Sequence, residues 1–320
     1  MRFRSLTPGC PEVGEIGVGA WQLGGPLKLD GRTDGHPEIG REAAIGLIRR
    51  CHDELGINFI DTAEQYGAGE SERRVGEAIA GRRDEWVVCT KFGAQVGPAG
   101  ERVNDVSAPR FPVSLEGSLR RLRTDHIDVY LYHTPPDPGE AEAVAGLLAD
   151  AKAAGKIRAC GISTNDLALC EFLLGLGCLD VVQFAANLVQ PAGPMRAFLA
   201  ANRLGGIVRG TFFGGRLSGR YFHSPPEFTP DDIRSNWFDR DSIVGEFARY
   251  AAFEELLKPG RPMPALAIRG VLDEPSTSTV ILGAKSFDDY AAAARACDLP
   301  PLDPAERARV GEIAASLSDA

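Results

Sequence analysis

The sequence predicts an α/β fold, a closed (β/α)8 TIM barrel in one domain spanning residues 1–320, and three observations carry that prediction. Eight short apolar runs alternate with segments of helical spacing. Eight such units in about 300 residues match the length of this fold. No G-x-G-x-x-G follows the first run, which argues against the main competitor, an open doubly wound sheet.

The first run, EIGVGA (15–20), leads into glycines at 17, 19, 24 and 25, a spacing unlike that of a dinucleotide-cradling turn. The stretch REAAIGLIRRCHDELG (41–56) then returns an apolar residue every three or four positions and closes on glycine, which predicts a helix. NFIDT (58–62) is the second strand, SERRVGEAIAGRR (71–83) the next helix and WVVCTK (86–91) the third strand. IDVYLY (127–132), IRACGIS (157–163), DVVQF (180–184), GGIVRG (205–210) and STVILG (278–283) complete the eight. Strand followed by helix, repeated, implies parallel pairing. The stretch 211–277 is rich in Pro, Gly and aromatics and too long for one crossover, so it predicts a long loop with an extra helix.

With 44% apolar and 25% charged residues, the chain can bury a large core without staples. Its net charge of −9 argues against nucleic acid or an anionic membrane surface as a main partner. Cys10, Cys51, Cys89, Cys160, Cys170, Cys178 and Cys297 contain no C-x-x-C pair, which fits a reducing compartment better than a disulfide framework or a zinc site. The N-terminus lacks the apolar core of a signal peptide, and no stretch approaches the roughly 18 apolar residues of a membrane span. A cytoplasmic protein is expected, with its oligomeric state open. Five histidines (36, 52, 126, 133 and 223) show neither H-x-H nor H-E-x-x-H spacing, so no metal site is expected and a metal-dependent barrel hydrolase is the weakest reading.

In a barrel of this kind, chemistry collects at the C-terminal ends of the strands. The second run ends in Asp61 with Tyr66 in its loop, the third ends in Lys91, and the fourth is followed at once by His133. Alone, each has an ordinary explanation as a turn, packing, rim or structural residue. Together they bring an acid, a phenol, an ammonium and an imidazole to one rim. An ammonium about 4 Å from a phenol attracts phenolate by about 4 kcal/mol at an effective dielectric near 20, roughly three pKa units before desolvation. A buried Lys91 needs an anion to stay charged, and Asp61 is at hand. The expected arrangement is therefore Asp61 holding Lys91, Lys91 acidifying Tyr66, and His133 pointing an N–H at a substrate carbonyl while Tyr66 supplies the proton.

The ordered motifs EIGVGAWQLGG, GINFIDTAEQYGAGESERRVGEAI, VVCTKFG, IDVYLYHTPP, CGIST, VVQFAANL, GRLSGRY and TVILGAKS resemble the aldo-keto reductase superfamily over nearly the whole chain. The resemblance implies a TIM barrel binding an extended nicotinamide cofactor across its C-terminal face and reducing an aldehyde or ketone to the alcohol. Asp61, Tyr66, Lys91 and His133 fall on the family's catalytic tetrad. Ser163 and Gln183 fall where the family holds the nicotinamide carboxamide; Thr164 stands where many relatives have Asn, with Asn165 next door. Asn187 matches a common family position, with a turn role equally open. Further cofactor contacts are implied for Gly19, Ala20, Trp21 and Asp61, for Arg209, Gly210, Thr211, Phe212, Gly214 and Leu217, and for Gly283, Ala284, Lys285 and Asp289. Arg209 takes the ring-stacking position that is often Tyr or Trp, while Lys285 and Ser286 come near the ribose 2′ position. Asp289 stands where holders of a 2′-phosphate often carry Gln or Arg, and a carboxylate there opposes the phosphate. NADPH is the expected cofactor, with NADH as the alternative. Trp21, residues 24–37 and residues 221–240, with Tyr221, Phe222, Trp237 and Phe238, are the expected aromatic wall for a small-molecule carbonyl substrate, one that suits apolar or aromatic carbonyls or sugars stacking on the rings. The competing function is a redox-sensing regulatory subunit resembling potassium-channel beta subunits, against which the intact tetrad weighs.

Overall fold

A computed structural model of the chain describes residues 1–238 and 242–318, and its eight main strands close into one parallel barrel. The strands are β1 (Ile16–Gly19), β2 (Phe59–Asp61), β3 (Val87–Phe92) and β4 (Ile127–Tyr132), then β5 (Ile157–Ser163), β6 (Val181–Ala185), β7 (Gly205–Arg209) and β8 (Thr279–Leu282). Each pairs with the next, and β8 returns to β1 with Val280 opposite Ile16 and Leu282 opposite Val18. These are the eight runs predicted from sequence.

The helices α1 (Arg41–Leu55), α2 (Glu70–Ala78), α3 (Arg110–Leu122), α4 (Pro138–Ala153), α5 (Leu167–Gly175) and α6 (Gly193–Asn202) follow the first six strands. Helix α1 buries Ala44, Leu47, Ile48 and Cys51 on one face and ends at Gly56 in the left-handed region, φ 69°. Between β7 and β8 lie α7 (Ile243–Ala248), continued by a 3-10 stretch over Arg249–Leu256, and the crossover helix α8 (Met263–Leu272). Helices α9 (Phe287–Cys297) and α10 (Pro304–Ser318) complete the chain. Among the described residues no helix is long and apolar enough to cross a membrane.

Successive strand side chains alternate between the barrel interior and the helical layer. Phe59, Val87, Cys89, Val129, Leu131, Ala159, Val181 and Ile207 fill the interior with Leu6 and Val13. Ile60, Val88, Tyr130, Ile162, Val182 and Val208 face the helices in a larger cluster. The same period carries the next inward positions, Asp61, Lys91, Ser163, Gln183 and Arg209, to the C-terminal mouth.

Three small hairpins were absent from the sequence reading because their strands are too short to show alternation. One, Phe3–Arg4 paired with Val13–Gly14, brings Leu6 and Val13 to the base of the barrel. The others, Lys28–Leu29 with Arg32–Thr33 and Ala94–Val96 with Arg102–Asn104, stand on loops after β1 and β3. They are fastened to each other and to the segment after β7: Asp30 N donates to Gly100 O at 3.0 Å, Thr33 Oγ1 to Pro230 O at 2.7 Å, and Ile233 N to Gly35 O at 2.8 Å.

Candidate active site

Asp61 closes β2 and Lys91 lies on the adjacent strand, so a short reach joins them. Lys91 Nζ donates to Asp61 Oδ2 at 2.8 Å, to Thr62 O at 2.8 Å and to Tyr66 Oη at 3.2 Å. Three donors meet three acceptors, which is what a fully buried ammonium requires. Tyr66 is held by its neighbours: its ring lies 5.8 Å from Trp21 at 25° and 5.5 Å from His133 at 86°. Gly67 makes this approach possible, because a Cβ at that position would lie 2.1 Å from Gly24 O.

The electrostatics follow from burial and the ion pair. Burial pulls the Lys91 ammonium down, but Asp61 and Tyr66 more than reverse it, and its pKa lies above the ordinary lysine value. Tyr66 departs from the sequence expectation. Burial pushes its phenol above the ordinary value and outweighs the downward pull of Lys91, while Asp61 adds to the rise. The contact that should acidify Tyr66 is present, yet desolvation wins. His133 is held well below the ordinary imidazole value by burial and then by Lys91, Arg209 and Arg102, so near neutral pH it is an uncharged ring with one N–H to offer.

The carboxamide candidates are also brought to this point. Ser163 Oγ donates to Gln183 Oε1 at 2.9 Å, and Gln183 Nε2 donates to Asp61 Oδ1 at 2.7 Å. Thr164 is turned to a local task, its Oγ1 accepting from Asp166 N at 3.0 Å. Asn165 bonds both ways with the backbone of Ala185, at 2.9 Å each, and Asn187 Oδ1 accepts from Val189 N and Gln190 N in a turn.

Gly19 ends β1 opposite Asp61, and Ala20 and Trp21 open the 3-10 turn Ala20–Leu23 beside it. Arg209 ends β7, followed by Gly210, Thr211, Phe212, Gly214 and a buried Leu217. Gly283 and Ala284 follow β8, Lys285 Nζ donates to Pro37 O at 3.3 Å, and Asp289 lies in the first turn of α9. Asp289 is ion-paired with Arg220 and accepts from Ser286 Oγ at 2.8 Å, which offsets the charge that the sequence alone left facing a phosphate.

This rim carries buried polar atoms with no hydrogen-bond partner among the described residues: His133 Nδ1, Arg209 Nε and Thr211 Oγ1. Burial depresses the Arg209 pKa, and Tyr66 and Asp61 oppose that shift. A planar guanidinium without an ion pair among the described residues, a free hydroxyl and the Ser163–Gln183 pair suit a group with an aromatic ring and an amide, so the residues fit a nicotinamide. Among the described residues no cluster of His, Cys, Asp and Glu could hold a metal ion.

The aromatic wall is only partly as expected. Trp21, stacked beside Tyr66, lies 6.1 Å from Trp237. Phe222 instead packs with Leu217, Tyr250 and Phe253 in a second core, and Tyr221 and Phe238 pack on Phe247 at 5.5 and 5.0 Å. Burying these rings within the long segment stabilises it more than exposing them at a pocket mouth would. Residues 239 and 240 of that expected wall lie outside the described residues. Missed from sequence was Asp34, which accepts from Gln65 Nε2 at 2.7 Å and Arg102 at 2.8 Å. It lies just past the two-residue strand Arg32–Thr33, where the sequence has no periodic signal.

The family model "Aldo/keto reductase family" matches residues 15–315. Aldo-keto reductase YhdN of Bacillus subtilis is 29% identical over 293 residues, covering 89% of this chain and 85% of that one. The NADH-specific methylglyoxal reductase of Escherichia coli is 28% identical, covering 85% and 86%. Among solved structures, the glycerol dehydrogenase AKR11B4 from Gluconobacter oxydans superposes with a TM-score of 0.82 at 27% identity, covering 97% and 94%. None of these relatives is a channel subunit. The chain belongs to the aldo/keto reductase family and is an oxidoreductase that uses a nicotinamide cofactor to reduce carbonyl groups.

Proposed function

We propose that this enzyme reduces a small aldehyde or ketone with NADPH, with Tyr66 delivering the proton. The observation that carries the reading is the position of Lys91 Nζ, 2.8 Å from Asp61 Oδ2 and 3.2 Å from Tyr66 Oη. When bound, the nicotinamide would supply hydride to the carbonyl carbon. Neutral His133 donates an N–H to the carbonyl oxygen and orients it. As negative charge develops on that oxygen, Tyr66 gives up its proton, and Lys91 stabilises the phenolate left behind. The phenol stays protonated before the reaction, as a donor must. Ser163 and Gln183 would hold the carboxamide, and Arg209 is the residue that would take the ring. Trp21 and Trp237 exclude water from the substrate side.

The preference for NADPH rests on Lys285, which has no acidic partner within ion-pair distance among the described residues and whose pKa burial depresses. An anion beside it would relieve that cost. The names of the relatives point to short oxygenated substrates such as 2-oxoaldehydes or polyol-derived carbonyls. We take residues 1–320 to work as one domain, supported by Arg309 of α10 donating to Glu255 at 3.2 Å. A reducing compartment such as the cytoplasm belongs to the same reading, supported by seven free cysteines, six of them buried.

Fluorescence titration with NADPH and NADH tests the cofactor, and a carbonyl screen with the preferred one tests the substrate class. The expected result is tighter NADPH binding, with the gap narrowed in Lys285→Ala. Tighter NADH binding would overturn the preference. Tyr66→Phe should bind cofactor and lose turnover; retained turnover would remove Tyr66 from its role.

A further inference from the structure

One bond of the polar layer runs across the barrel rather than around it. β2 and β6 stand on opposite sides of the closed ring, yet Gln183 Nε2 donates to Asp61 Oδ1 at 2.7 Å. Ser163 Oγ donates to Gln183 Oε1 at 2.9 Å, which turns the amide nitrogen toward the carboxylate. The other oxygen of Asp61 takes Lys91, and Lys91 reaches Tyr66. Gln183 is 1% and Asp61 3% exposed, so bulk water does not replace this donor.

We propose that Gln183 is a positioning residue for proton delivery: its donation to Asp61 fixes that carboxylate in the orientation that holds Lys91 against the phenol, and thereby sets the ionisation of Tyr66. The inference rests on the reading of Tyr66 as proton donor. With one oxygen taken by Gln183 and the other by Lys91, the carboxylate cannot rotate without breaking a buried hydrogen bond. Without the amide, Asp61 is free to turn, Lys91 Nζ follows it away from Tyr66 Oη, less cationic charge faces the phenol, and Tyr66 becomes harder to ionise. The charged and titratable groups around Tyr66 are Lys91, Asp61 and Arg209, with the His133 ring at its edge, and Cys89 lies beside Asp61 on β3. Of these, Asp61 is the one hydrogen-bonded to Gln183, so any effect of the amide passes through it.

The test uses the full-length protein without cofactor, its tyrosines replaced by difluorotyrosine so that the phenols ionise within the range where the protein stays folded. Fluorine NMR follows each ring against pH, and the Tyr66 signal is the one missing in Tyr66→Phe. In Gln183→Met, similar in size but without a donor, the Tyr66 titration should move upward by roughly one unit, a tenfold fall in its ionisation constant. Gln183→Asn, one methylene short of Asp61, should move it the same way and carries the test if the first variant fails to fold. The pH profile of reduction at saturating cofactor should shift in step. An unmoved Tyr66 titration in a folded variant overturns the proposal, and a weaker cofactor Kd with that titration unmoved assigns Gln183 to the cofactor alone. Lys91→Met separates the two ideas. If it too leaves Tyr66 unmoved, the proton-donor reading falls with the inference; if it moves Tyr66 while the Gln183 variants do not, only the positioning role falls.

Discussion

Val87 and Lys91 sit on the same strand, face the same interior and are equally hidden from water, at 1% and 0% exposure. Val87 belongs to one apolar cluster with Phe59, Val129 and Ile207, whose packing has no preferred direction and tolerates exchange among residues of similar volume. Lys91 is surrounded by Asp61, the Thr62 carbonyl and Tyr66, each at hydrogen-bond distance, and no isosteric apolar residue can replace it. The lower interior contributes stability through area, whereas the upper interior gives up part of that to hold charges out of water. A single strand period thus builds both, and the difference between them is that the lower layer is fixed by volume and the upper by geometry.

The largest expected effect breaks the upper layer alone. Lys91→Met should lower turnover by roughly 10²–10⁴-fold, the usual worth of proton transfer by a positioned group, with cofactor affinity little changed. It should also destabilise the fold by roughly 3–5 kcal/mol, because Asp61 is left buried without its counter-charge. Steady-state kinetics and urea unfolding check the two parts, and normal turnover in this variant would erase the distinction between the layers. Next comes the converse change in the lower layer. Leu131→Ala removes a fully buried side chain and should cost roughly 2–5 kcal/mol in urea unfolding while kcat/KM stays near the parent value. A large loss of kcat/KM at low temperature, where the variant is folded, would show that the layers are coupled.

The smallest effect concerns the imidazole at the edge of the polar layer. His133 binds its proton more weakly folded than unfolded, so its contribution to stability is complete above about pH 6.5 and is lost as pH falls below that value. Tm measured from pH 8 to pH 5 should fall less steeply in His133→Gln than in the parent. His36, buried and also shifted down, keeps part of the slope in both proteins. Identical slopes would mean that His133 is not held neutral by the fold.

Most of the barrel was legible because the two-residue period of IDVYLY and the helical period of REAAIGLIRRCHDELG are local signals. The rim residues were legible by the same rule, since a charge ending an apolar run falls at a strand end. The hairpins Lys28–Thr33 and Ala94–Asn104 were not, because two- and three-residue strands carry no period. Phe222 misled for a different reason. An aromatic residue in a long loop has the same local appearance whether it lines a pocket or a satellite core, and only its neighbours Tyr250 and Phe253 decide.

By itself, then, the sequence determined the strand and helix order, the family, and the presence of an acid, a phenol, an ammonium and an imidazole on one rim. Those follow from spacing along the chain. The tertiary structure alone decided that Asp61 is also held by Gln183 from the far wall, that Asp289 is taken up by Arg220, and that burial lifts the Tyr66 phenol despite Lys91. These depend on distances between residues far apart in the chain and on how much water the closed barrel excludes, and neither quantity is written in any local stretch of the sequence.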